Sequence, residues 1–173
     1  MTAPMRWPVV LVGPPGAGKS TVGRALAARL GVAFRDTDAD VESVAGKTVA
    51  EVFVEDGEER FRALERDAVR VALAEHDGVL SLGGGAVLAE GTRALLRGHL
   101  VVLLDVDLPS AAQRVGLGQG RPLVGLNPRA QLRELMHERR PVYAEVATHT
   151  VDTSAVPADV VVDRVLAALG SPP

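Results

Sequence analysis

The chain has 173 residues, is 47% apolar with a mean hydropathy of +0.15, and carries a formal charge of −3 with an isoelectric point near 5.8. That length suits one domain with a real core. The acidic balance argues against a nucleic-acid-binding surface, and the absence of cysteine excludes disulfides and thiolate metal sites. No apolar run reaches membrane-spanning length, and Met1–Pro8 lacks a secretory apolar core, so a soluble cytoplasmic protein without membrane or nucleic-acid partners is expected.

The first element is the apolar run Val9–Val12, which reads as a buried parallel strand. Gly13-Pro14-Pro15-Gly16-Ala17-Gly18-Lys19-Ser20 follows, spelling G-x-x-x-x-G-K-S, and Thr21 to Leu30 continues at helical spacing. Strand, glycine loop and helix in that order identify a phosphate-binding loop. Its glycines let backbone N–H groups close on phosphate oxygens, and the new helix directs its positive end at the same anion. Lys19 is placed to reach the outer phosphates, and the Ser20 hydroxyl to ligate Mg²⁺. Lys19 and Lys47 are the only lysines in an arginine-rich chain, so a compact point charge is kept at the loop.

A second strand is predicted at Ala33–Arg35, a short capped helix from Thr48 with Glu51 in capping-box position, and a longer helix from about Glu58 to Ala74 with Phe61, Leu64, Ala68, Val71 and Ala72 facing the core. Further strands are predicted at Val79–Leu82, Leu100–Leu104 and His149–Val151. Val106–Pro109 reads as an exit loop. Asn127-Pro128 caps a helix running to about Arg140, and Ser154–Pro157 leads into a last amphipathic helix ending near Gly170. The alternation of strands and helices predicts an α/β fold, a parallel sheet covered on both faces. Residues 115–126, with four glycines and few core residues, read as a surface flap carrying Arg121.

Several residues admit both a chemical and a plain structural reading. Asp36-Thr37-Asp38 ends the second strand, where open α/β sheets bind ligands. If the chain stays extended, both carboxylates face one cleft, one toward the metal and one toward a substrate hydroxyl; an aspartate capping the next helix explains the pattern equally well. Gly83-Gly84-Gly85 ends the third strand, and there a substrate lying against bare backbone is preferred over a tight turn. Arg62 with Glu65 three residues on, and Arg139 with Arg140 at a helix end, have the statistics of surface residues. No N-K-x-D or D-x-x-G motif marks a regulatory GTPase, and Asp105 lacks the glutamate of motor ATPases. His99 is expected to flank a strand, and His76, His137 and His149 to lie at the surface.

With these motifs in this order the chain resembles shikimate kinase, a small nucleoside-monophosphate-kinase-like P-loop family, over about Arg6 to Leu169. The combination Asp36-Thr37-Asp38, Phe61-Arg62-x-x-Glu65, Gly83-Gly84-Gly85 and Arg121-Pro122-Leu123 carries the likeness. It implies a single 1–173 domain with a three-layer P-loop kinase fold, a five-stranded parallel sheet, a mobile lid at about 115–126 and a substrate-binding helical part at about 37–65. It also implies Mg·ATP-dependent phosphorylation of the shikimate 3-hydroxyl by a monomer, in the route to chorismate and aromatic amino acids.

In that pattern Asp38 holds substrate hydroxyls and accepts a proton, and Arg62 and Arg139 bind the carboxylate. Glu65 orients Arg62, Gly84 with its neighbours Gly83 and Gly85 contacts the ring hydroxyls, and Phe53 and Phe61 wall the pocket. Gly16, Ala17, Gly18, Lys19, Ser20 and Thr21 hold ATP. Asp36 holds one Mg²⁺ through water beside Ser20, and Ser81 replaces the acidic residue of other P-loop enzymes. Arg114 lies over adenine, and Arg121 swings onto the transferring phosphate. The loop Asp152–Pro157 departs from the pattern in lacking a basic residue. A gluconate kinase is the alternative within enzymes, and a silent nucleotide-binding regulator the alternative outside them.

Overall fold

A computed structural model describes residues 4–116 and 127–170. The chain runs β1 (Val9–Val12), α1 (Lys19–Leu30), β2 (Phe34–Asp36), α2 (Thr37–Ala45), α3 (Val49–Glu75), β3 (Val79–Ser81), α4 (Glu90–Leu96), β4 (Leu100–Asp105), α5 (Leu108–Arg114), α6 (Pro128–Val146), β5 (His149–Asp152) and α7 (Ala158–Leu169), with a 3₁₀ turn at Ala86–Leu88. The strands form one five-stranded sheet in the order β2-β3-β1-β4-β5. All neighbours are parallel, with Leu11 of β1 opposite Ser81 and Val102.

The central strand shows why this sequence makes a covered sheet. Side chains alternate across a strand, so an all-apolar strand needs a core on both faces. Val9 and Leu11 belong to a core layer with Val22 and Leu26 of α1 and Val161, Val162 and Val165 of α7. Val10 and Val12 belong to the opposite layer, with Val69 and Ala72 of α3 and Tyr143 of α6. A third, smaller core joins Val41 of α2 to Val52, Phe61 and Leu64 of α3. The α2–α3 unit therefore carries its own apolar centre at one end of the sheet.

Helix boundaries differ from the sequence reading in four places. Helix α1 begins at Lys19, two residues early, so Lys19 and Ser20 already lie in its first turn. The short capped helix does not end before the long one. The Thr48–Glu51 capping box is formed, and α3 continues through a kink at Gly57, whose φ of 85° and ψ of 164° interrupt it. Helix α6 does not stop at Arg140 but passes through Pro141 to Val146. The expected exit loop is short: Asp107 caps α5 by accepting from the Ser110 N–H at 2.8 Å, and Leu108–Pro109 are its first turn. On the core face of α3, Val69 is fully buried and Val71 only half-buried.

His149 is not a free surface residue. It starts β5, its Nδ1 lies 3.0 Å from Thr148 Oγ1, and its Nε2 is buried with no hydrogen-bond partner among the described residues. Of the flap, Val115 and Gly116 are described; Arg121-Pro122-Leu123 lie outside the described residues. Among the described residues no helix is long and apolar enough to cross a membrane.

Candidate active site

The carboxyl ends of β1, β2 and β3 open into one cleft of about 590 Å³, lined among others by Lys19, Ser20, Asp36, Asp38, Ser81 and Gly84. This is where an open parallel sheet presents ligands. The loop after β1 needs glycine at Gly13, where a Cβ would stand 2.5 Å from the Leu104 carbonyl oxygen, and at two further points. Gly16 has φ 80°, and a Cβ there would stand 2.6 Å from the Ala111 carbonyl oxygen of α5. Gly18 caps α1 at φ 87°, which turns the backbone left-handed just before the helix.

Lys19 Nζ donates to the carbonyls of Gly13 and Pro14 at 2.8 and 3.1 Å, so the ammonium is folded over its own loop. Burial draws its pKa down to about 8, against the pull of Asp38 and Asp36, with Arg139 lowering it further.

The Asp-Thr-Asp segment does both things that the sequence left open. The chain does not stay extended: α2 starts at Thr37, and Asp36 caps it by accepting from the Asp38 N–H at 2.9 Å. The other oxygen of the same carboxylate accepts from the Ser20 hydroxyl at 3.0 Å, tying β2 to the first turn of α1. Capping leaves Asp38 in the first turn with its carboxylate in the cleft and no hydrogen bond from a described residue. Burial pushes its pKa up to about 6, with Asp36 and Glu65 adding and Lys19 opposing. Thr37, passed over in the sequence, is fully buried. Its hydroxyl lies 3.4 Å from the Ser81 carbonyl and accepts from the Gly83 N–H at 3.3 Å, which fixes α2 to the glycine run.

Three side chains crowd Gly83 and Gly85, and two more make ordinary contact with Gly84. A Cβ at Gly83 would stand 2.8 Å from Asp38 Oδ1 and 2.9 Å from Glu65 Oε2. At Gly84 it would stand 3.4 Å from Pro15 Cδ and 3.5 Å from Arg139 Nη1, and at Gly85 2.6 Å from both terminal nitrogens of Arg62. The tight turn is present as well, with the Ala86 N–H donating to the Gly83 carbonyl at 3.1 Å.

The two arginines that looked superficial converge here. Arg62 donates to Glu65 at 2.7 Å, and the Glu65 side chain is only 4% exposed, so this is not a solvated surface pair. Burial raises the Glu65 pKa, and Arg62 pulls it down. Arg62 also stacks on the Phe61 ring at 5.2 Å, and Phe53 and Phe61 lie 4.5 Å apart between centroids. Arg139 is half-buried and has no ion-pair partner among the described residues, whereas Arg140 is exposed. One guanidinium is thus neutralised in place and the other retains its full charge beside the glycines.

On the far side of the phosphate loop, Arg114 donates to the carbonyls of Gly16 and Ala17 at 3.1 and 3.4 Å, and to both the hydroxyl and the carbonyl of Thr153. It borders a second hollow of about 190 Å³ with Gly18, Thr21, Thr153 and Val156. The 152–157 loop has no basic residue of its own, but Arg114 from α5 and Arg164 from α7 reach its backbone.

The sequence model of the shikimate kinase family matches residues 15–170. A shikimate kinase of Salinispora arenicola is 65% identical over 144 residues, which are 83% of this chain and 86% of that protein. The solved structure of a shikimate kinase from Acinetobacter baumannii in complex with shikimate matches with a TM-score of 0.83 at 37% identity, over 91% of this chain and 89% of that one. A gluconokinase from Sinorhizobium meliloti covers 92% of this chain and 89% of its own, at 26% identity and with a TM-score of only 0.58.

Proposed function

The chain belongs to the shikimate kinase family, and we propose that the cleft described above performs the family's reaction through the following residues. The reaction is phosphoryl transfer from ATP to the 3-hydroxyl of shikimate, giving shikimate 3-phosphate and ADP. Asp38 takes the proton of the attacking hydroxyl. A carboxylate that has no hydrogen bond among the described residues, lines the same cleft as Lys19 and has a pKa raised to about 6 is the single observation that carries this assignment. Lys19 leaves the loop carbonyls for the outer phosphates. Gly16, Ala17, Gly18, Ser20 and Thr21 hold the rest of the phosphate chain at the start of α1.

Little covalent work falls to the protein; its task is to align hydroxyl and phosphorus and to match the spreading negative charge. Arg62, held by Glu65, and Arg139 bind the carboxylate of the substrate. The backbone of Gly83 to Gly85 meets the ring hydroxyls, and Phe53 and Phe61 close the apolar side. Arg121, outside the described residues, supplies a further cation to the transferring group. The hollow beside Arg114 and Thr153 takes the base.

One Mg²⁺ fits the hard oxygens that Ser20 and Asp36 already bring within 3.0 Å of each other. When bound it neutralises phosphate charge. A cytoplasmic monomer suits a single domain with no cysteine.

The test is an ADP-release assay offering shikimate, gluconate and nucleoside monophosphates in turn. Turnover with shikimate alone supports the assignment, and preference for either other acceptor contradicts it.

A further inference from the structure

We infer that Tyr143 is a positioning residue of the substrate site, holding the Gly84 carbonyl and the Arg139 guanidinium together from a hydroxyl rooted in the core. The inference rests on the reading that Arg139 and the Gly84 backbone contact the substrate.

Tyr143 is the only tyrosine of the chain. It lies on α6 four residues beyond Arg139, so the two side chains share one face of the helix. Its ring is 3% exposed and belongs to the core layer that includes Val12, Leu82 and Val87. Phenylalanine would serve that packing equally. A buried hydroxyl costs stability unless it is bonded, and this one is bonded to the site rather than to the core. It donates to the Gly84 carbonyl. The Arg139 guanidinium lies beside the Tyr143 phenol oxygen itself, which can accept from it.

Two consequences follow from these contacts. Three successive glycines are costly to order, and a donor fixed in the core removes freedom from the middle one. A Cβ at Gly84 would meet both Pro15 of the phosphate loop and Arg139, so fixing its carbonyl also steadies the point where the nucleotide and substrate halves of the cleft adjoin.

The second consequence concerns charge. Glu65 orients Arg62 but neutralises it, whereas a phenol orients Arg139 and leaves the full positive charge for an anion. Burial raises the Tyr143 pKa, so the hydroxyl keeps its proton throughout the neutral range.

Tyr143→Phe tests the inference by titration with shikimate and, separately, with ADP. Loss of one buried hydrogen bond should raise the shikimate Kd roughly three- to tenfold and leave the ADP Kd within about twofold. An unchanged shikimate Kd, or equal losses for both ligands, overturns the positioning role.

Arg139→Ala, measured in parallel, separates this from the site reading. If Arg139→Ala weakens shikimate and Tyr143→Phe does not, the inference fails while the site stands; if Arg139→Ala has no effect, the site reading itself fails. In the Arg139→Ala background the Tyr143→Phe loss should shrink, and full additivity overturns the coupling. A second measurement needs no substitution. Fluorotyrosine incorporation labels position 143 alone, and its ¹⁹F resonance should shift with shikimate and hardly with ADP. The reverse pattern overturns the inference.

Discussion

Gly85 and Arg62 are in a relationship that only glycine permits: a Cβ at position 85 would stand 2.6 Å from both terminal nitrogens of the guanidinium. The clashing atoms are the far end of a flexible side chain, so the cost of adding a methyl falls on where Arg62 lies rather than on the fold. Gly85→Ala should therefore fold normally and weaken shikimate binding about tenfold or more, the worth of a displaced charged hydrogen-bond partner. ADP affinity should stay within about twofold, and calorimetric titration of both ligands reads the difference.

Arg62→Ala and Arg139→Ala should each weaken shikimate by roughly ten- to a hundredfold but differ in stability. Removing Arg62 strands the buried Glu65 carboxylate, at a cost of about 1–3 kcal/mol, less than for a fully buried pair because Arg62 is 22% exposed. Removing Arg139 breaks no ion pair among the described residues and takes only a lesser attraction from Glu65. Thermal melts should show the first variant alone destabilised, and adding Glu65→Gln should recover its stability without recovering shikimate affinity.

These contrasts also mark how far the sequence could be read. The phosphate loop was legible because an apolar strand and a helical run bracket it, and all five strands fall within about a residue of where the pattern places them. Arg62 and Glu65 were not legible from spacing. A helical i, i+3 pair has the same sequence whether water or protein faces it, and Glu65 is buried because it points at the end of β3, its Oε2 against Gly83. The two readings of Asp36 appeared to compete because one carboxylate was credited with one bond; it uses one oxygen for the cap and the other for Ser20. Tyr143 carried no motif, and Thr37 stood inside Asp36-Thr37-Asp38 with no role of its own. Their roles arise from where α6 and α2 meet the end of β3.

The rate should follow pH through two groups of the free enzyme. kcat/KM for ATP should rise through about pH 6 as Asp38 ionises and fall above about pH 8 as Lys19 loses its proton. Bound phosphates favour the ammonium form, so under saturating Mg·ATP the alkaline limb of kcat should move above 8. Rate profiles at limiting and saturating ATP check this; coincident alkaline limbs would remove Lys19 from the phosphate site.

Asp38 should cost the ligand-free protein stability at neutral pH. Its folded pKa, raised to about 6, exceeds the unfolded value of about 3.9, so the native state binds the proton more tightly. The resulting stabilisation is complete at low pH and is lost as the pH rises through about 6. Asp38→Asn should accordingly raise the melting temperature by a few degrees at pH 7.5, on the order of 1–2 kcal/mol once solvent screening is allowed for, and change it little at pH 4.

The most direct test of the central claim is the turnover of that same Asp38→Asn protein with saturating Mg·ATP and shikimate. Loss of the base should lower kcat by about a hundredfold or more while ADP affinity is retained. A kcat within tenfold of wild type, in a variant shown by its melt to be folded, would contradict the assignment of Asp38 as the group that takes the hydroxyl proton.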